Sequence, residues 1–182
     1  QLDAIVVSVP GSYDIATDTL SYVDHLPRWQ HASVGAELRM LFPDASVAIE
    51  NDVNLAAIAE RHAARGESES FFLFWLDDGV GGAIMIDGAL HRGSRGAAGE
   101  AAFLLIPGAV FDAESRTDGA LERIVGYPAL RARAAEAGLE AATAPEALRA
   151  LLDDPTAAPA VAELATSCLG RPFLVGLDTK FE

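Results

Sequence analysis

One cysteine, Cys168, stands among 182 residues, so an internal disulfide lacks its second thiol and no site can be built from several thiolates of this chain. A reducing cytoplasm is the expected compartment. Basic residues are scarce too: 13 Lys and Arg face 27 Asp and Glu, a formal charge of -14. A surface of that sign repels a phosphate backbone or an anionic membrane, and the chain is not expected to bind DNA itself. The apolar runs Ala4 to Val9 and Phe71 to Leu76 are strand-length, far short of the ~20 residues a membrane helix needs. No secretory leader is expected. At 51% hydrophobic content it can still bury a real core, as one domain or two small lobes. It opens at Gln1 rather than Met, which predicts that something precedes it.

What is present alternates between strand and helix. Ala4-Ile5-Val6-Val7-Ser8-Val9 reads as a strand buried on both faces, ended by Pro10-Gly11. Tyr13 to Arg28 reads mostly as loop. Val34, Leu38 and Leu41 have helical spacing up to Pro43-Asp44, and Ser46 to Ile49 reads as a second strand. Strand, helix, strand, helix implies parallel pairing. The polar stretch Arg65 to Ser70 suggests a lobe boundary at residues 66 and 67. Phe71 to Leu76, Ala83 to Ile86 and Ala101 to Ile106 then read as strands of a meander. Gly119 to Arg133 is helical with a break at Gly126-Tyr127-Pro128, and the Ala-rich stretch after Pro145 is helical until Pro155 and Pro159.

The richest segment is Glu50-Asn51-Asp52-Val53-Asn54, where a strand hands over to a helix running from Val53 to Ala64. Such junctions bind ligands in many α/β folds. The plainer reading is that Asn51 or Asp52 caps the helix. A second element is Gly79-Val80-Gly81-Gly82, followed by Gly93-Ser94-Arg95-Gly96-Ala97-Ala98-Gly99-Glu100. These glycines read first as hairpin geometry, and Glu100 and Glu122 as solvated carboxylates.

Taken in order from about Ile5 to about Leu130, these motifs resemble the ROK family (repressor, open reading frame, kinase). The resemblance implies an actin-like, ribonuclease H-like ATPase fold of the sugar kinase, Hsp70 and actin type, an α/β fold of two lobes with the first incomplete in this chain. Residues 1–66 would be the remainder of the first lobe and residues 67–182 the second. Gly11 would end a strand beside the sugar, Asn51 would bind sugar hydroxyls, and Asp52 would fall on the family's general base. Phosphorylating an alcohol requires a carboxylate within reach of the hydroxyl proton. Glu100 would be a further sugar ligand, and Glu122, retained in a second matched motif, is placed with it.

The departures from the family are as informative. Phe103, Ala113, Ser115 and Ala120 stand where the resemblance puts one His and three Cys zinc ligands, so no metal is expected. His25, His31, His62 and His91 lie in no metal spacing. Asp77-Asp78-Gly79-Val80-Gly81 replaces a glycine and a hydroxyl of a phosphate loop with two carboxylates, which oppose anionic oxygens. No cofactor is therefore expected, and Asp52 would be a vestigial base. The reading is a catalytically inactive, sugar-sensing effector domain of a ROK-type transcriptional regulator, a homodimer or larger. DNA contact would fall to a winged helix-turn-helix upstream of Gln1. The alternative is an ATP-dependent hexose kinase, and a third reading is a ligand-free dimerising scaffold.

Overall fold

The computed structural model describes residues 2–21, 29, 33–64, 69–77, 79–105 and 110–154. The expected boundary at 66 and 67 lies outside the described residues. So do Asp24, Asp78, His25, His31, Pro155, Pro159 and Cys168. The chain divides into two compact units, one of Gln1–Phe71 with Ala83–Gly99 and the other of Phe72–Gly82 with Glu100–Glu182.

The first unit is built on two parallel strands, β1 (Ala4–Val9) and β4 (Ser46–Asn51), in a register that runs from Ala4 beside Ser46 to Val9 beside Asn51. Between them come a hairpin, β2 (Ser12–Asp14) with β3 (Thr19–Ser21), and helix α1 (Val34–Leu41). That hairpin corrects the loop expected over Tyr13 to Arg28, of which 22–28 lie outside the described residues. Its turn forms because Asp18 accepts the left-handed region at φ 53°, and its carboxylate makes the turn useful. Asp18 accepts from Tyr13 Oη at 2.7 Å and from the α1 amides of Gly35 and Ala36 at 2.9 and 2.8 Å, satisfying two of the orphan donors at a helix start. Val9, Tyr13, Leu20, Val34 and Ile49 form the core. Helix α2 (Asp52–Ala63) follows β4 without a gap.

A three-stranded sheet in the order β5 (Phe71–Leu76), β6 (Val80–Ile86), β7 (Ala89–Leu90) comes next, with β6 and β7 antiparallel. The third strand expected at Ala101 to Ile106 is not formed among the described residues. Ala101–Phe103 is a single 3-10 turn, and Leu104 and Leu105 are exposed. The carbonyl of Ala102 accepts the Leu121 amide at 2.9 Å, and Gly119 packs so closely on that carbonyl that a Cβ would overlap it. The backbone is thereby withdrawn from a ladder.

The second unit continues with α3 (Ala113–Asp118), α4 (Glu122–Val125), α5 (Tyr127–Glu136) and α6 (Ala144–Asp153). Its core includes Phe74, Leu76, Val80, Leu121, Leu130 and Leu151. Pro128 and Pro145 sit in the first turns of α5 and α6, where a missing N–H costs nothing. No helix among the described residues is long and apolar enough to cross a membrane.

Candidate functional site

The junction of β4 and α2 holds two of the four polar side chains that the resemblance singles out, Asn51 and Asp52. Parallel pairing brings the ends of β1 and β4 together, with Val9 beside Asn51, and the chain then turns at Gly11 with φ 92°. Asn51 uses both ends of its amide. Its Nδ2 donates to the Gly11 carbonyl at 3.0 Å, and its Oδ1 accepts the Asn54 amide at 3.0 Å as the N-cap of α2. Asp52 is the first helical residue and is exposed, its Oδ1 accepting the Val53 amide at 2.8 Å. A carboxylate there is favoured by the partial positive charge at the helix start. The cap thus fixes Asn51, and Asp52 stands exposed beside it.

Three residues to which the sequence assigns no role complete the junction. Glu50 is only 12% exposed at its side chain, and its two oxygens point to different places. Oε1 accepts the Asn51 amide at 3.1 Å and Asn54 Nδ2 at 2.8 Å; Oε2 accepts Arg92 Nε at 2.6 Å. Asn54 is almost fully buried, and its Oδ1 has no hydrogen-bond partner among the described residues. An unmet buried acceptor costs about 1 to 3 kcal/mol, yet the opposite amide orientation would set that oxygen against Glu50. No spacing rule could have found an ion pair between residues 50 and 92.

The glycine-rich stretch that follows is tied to the same unit. The His91 amide donates to the Ile84 carbonyl at 2.8 Å, and the Ala98 amide closes a loop on the Arg92 carbonyl at 3.1 Å. Gly96, at φ 77°, lies so close to the Tyr13 carbonyl oxygen that a Cβ would overlap it. Glu50 and Arg92 also line an open groove of about 340 Å³ over Val47, Ile49 and Leu55. Asn51 and Asp52 do not line it.

Glu100 and Glu122 belong to the second unit. Glu100 starts the 3-10 turn at Ala101. Glu122, partly buried at the first turn of α4, accepts the Val80 amide with Oε2 at 2.5 Å. Burial pushes its carboxyl above the ordinary value, against the opposing pull of that amide. The turn between β5 and β6 is therefore internally bonded: the Asp77 amide donates to Gly79 O at 3.1 Å and that of Val80 to Glu122. The exposed Asp77 adds a carboxylate beside them.

The positions at which the resemblance places zinc ligands do not suit a metal. Ser115 is buried in the capping box of α3, its amide on Asp112 Oδ1 at 2.8 Å and its Oγ bonded to the Asp112 backbone. Ala120 is buried in the apolar interior, and Phe103 offers no donor atom. Among the described residues no three His, Cys, Asp or Glu side chains gather as a metal set.

A model of the ROK family matches residues 1–171. The beta-glucoside kinase of Listeria innocua is 33% identical over 101 residues, which are 55% of this chain and 34% of that protein. The chain thus aligns with about a third of that curated relative's length. The ROK hexokinase of Thermus thermophilus is similar in structure, with a TM-score of 0.62 at 28% identity over 91% of this chain and 54% of its own. A ROK transcriptional regulator homologous to the E. coli MLC protein has a TM-score of 0.69 at 21% identity, covering 93% and 45%. The α/β fold is accordingly of the actin-like ATPase type.

Proposed function

The chain belongs to the ROK family, and from that premise we propose that it is a sugar-binding effector region of the regulator type, without phosphoryl transfer. The observation that carries sugar binding is the junction of Asn51 and Asp52. An exposed carboxylate stands at a helix start next to an amide whose side chain is held at both ends. Adjacent sugar hydroxyls each offer one donor and two acceptor lone pairs, and carboxylate with backbone and amide groups can meet them in fixed geometry. Glu100 and Glu122, in the second unit, are candidates on the family resemblance alone. Glu122 is already bonded to Val80, and the reading rests on Asn51 and Asp52.

Support for a sensor rather than an enzyme comes from the turn at residues 77–80. A phosphate-binding turn works through backbone amides aimed at anionic oxygens. Here the Val80 amide is held by a carboxylate, with Asp77 beside it. Sugar binding would then bias a two-state equilibrium. Any operator contact would come from a basic winged helix-turn-helix outside this acidic chain, and a homodimer or larger is the expected assembly in the cytoplasm.

A second reading, an ATP-dependent hexose kinase, is favoured by the exposed Asp52 and by the similarity to a beta-glucoside kinase. Calorimetry against a panel of hexoses and β-glucosides, comparing the protein with its Asp52→Ala and Asn51→Ala variants, tests sugar binding. Saturable binding weakened roughly ten-fold or more by either change is expected. Equal heats in all three would reduce Asn51 and Asp52 to caps.

A further inference from the structure

We propose that Glu50 and Arg92 are positioning residues of the sugar site, a clasp that fixes the glycine-rich loop and the Asn51-Asp52 junction against each other. The proposal deepens the sugar-binding reading and rests on it. Glu50 directly precedes Asn51 and Asp52, and its Oε1 takes the backbone amide of Asn51 itself, so movement of the carboxylate moves that peptide. The same oxygen holds Asn54 one turn into α2. The other oxygen is held by Arg92 at 2.6 Å. One carboxylate thereby joins strand end, helix start and loop.

Arg92 is correspondingly the base of the loop. Its side chain reaches Glu50 while its carbonyl accepts the Ala98 amide, closing residues 92–98. The far side of that loop rests on the Tyr13 carbonyl through Gly96. Neither element could shift without breaking a bond to Glu50. The unmet Oδ1 of Asn54 supports a positioning role: the amide keeps a buried acceptor without a partner in order to donate to Glu50, and such exceptions call for a reason beyond packing. Binding constellations depend on partners that lock their rotamers.

Burial of its carboxylate separates this pair from an ordinary surface ion pair: Glu50 is 12% exposed, although Arg92 is 40% exposed. Arg61 with Glu69 lies in the same unit at 3.0 Å, but its carboxylate is 48% exposed. It serves as the internal control, since exposed pairs contribute little.

The test compares Arg92→Ala, Arg92→Lys, Glu50→Gln and the control Arg61→Ala by three measurements: sugar affinity, melting temperature and amide hydrogen exchange. For Arg92→Ala and Glu50→Gln we expect affinity to fall roughly ten-fold. Exchange should quicken at Asn51 and at residues 96–98, and Arg92→Lys should recover part of both. Arg61→Ala should leave affinity and those amides unchanged. A lower melting temperature with unaltered affinity would make the pair merely structural and overturn the proposal. Unchanged exchange at Asn51 in Arg92→Ala would overturn it too. If the unaltered protein bound no sugar of the panel, the sugar-binding reading would fail first, and the exchange data would still decide whether the clasp couples loop to junction.

Discussion

Asn51 reaches back 40 residues to donate its Nδ2 to the carbonyl of Gly11, while its Oδ1 caps α2. One side chain thus ties the turn after β1 to the helix after β4. The two functions separate by substitution. Asn51→Ala removes cap and tie together, for about 2 kcal/mol of stability in denaturant titration. Asn51→Asp keeps an acceptor for the Asn54 amide but sets an oxygen against the Gly11 carbonyl. It should retain most of the helix while weakening sugar binding, and equal affinity in Asn51→Asp and the unaltered protein would remove the tie from the site.

Gly96 and Gly138 share nearly the same left-handed backbone, φ 77° and 75°, and differ in what surrounds them. A Cβ at Gly96 overlaps the Tyr13 carbonyl, whereas one at Gly138 meets nothing within 4 Å. Gly138→Ala should therefore lose only the conformational preference, about 1 kcal/mol. Gly96→Ala should lose about 3 kcal/mol, because backbone must move. Thermal unfolding of both variants checks the contrast; equal losses would mean that the loop does not rest on Tyr13.

The parallel strands and α2 were legible in the sequence because each satisfies a local rule. β1 is an apolar run, although the burial expected on both faces is not found, since Ala4, Val6 and Ser8 are exposed, and α2 begins at a capping residue followed by helix formers. The run from Ala101 to Leu105 follows the same rule and breaks it, because a distant amide, that of Leu121, claims the Ala102 carbonyl. The hairpin at Ser12 to Ser21 escaped notice since its strands are three residues each and its turn rests on Asp18 rather than glycine. Among candidate site residues, Gly11, Asn51 and Asp52 were visible through motif. Arg92 and the roles of Glu50 and Asn54 were not, because an ion pair across 42 residues leaves no periodic trace.

Glu122 supplies a pH dependence. Burial raises its folded-state carboxyl above the unfolded value, with the Val80 amide opposing. A raised folded pKa means that the native state binds its proton more tightly than the unfolded chain. The resulting contribution is present in full below the unfolded pKa and is lost as pH rises through the folded one. Urea titrations of the unaltered protein and Glu122→Gln across this acid range should show a stability difference that changes in favour of the variant as pH rises. Glutamine can still accept from Val80 while carrying no charge to desolvate. A difference independent of pH would place Glu122 in water.

Phosphoryl transfer should be undetectable, and its cause should lie in the turn at 77–80 rather than in the base. Asp52 is exposed at the start of α2, where a carboxylate could take a hydroxyl proton. The transferring phosphoryl group, however, needs donors or cations around its oxygens. At this turn the Val80 amide is occupied by Glu122, and Asp77 presents negative charge. A coupled assay with ATP and the sugars that bind should therefore stay at background for the unaltered protein and for Asp52→Asn alike. Sugar-dependent turnover that disappears in Asp52→Asn would establish the kinase reading. Turnover that persists in that variant would point to a contaminating activity, since a phosphoryl acceptor without its base should lose about 10²- to 10⁴-fold in rate.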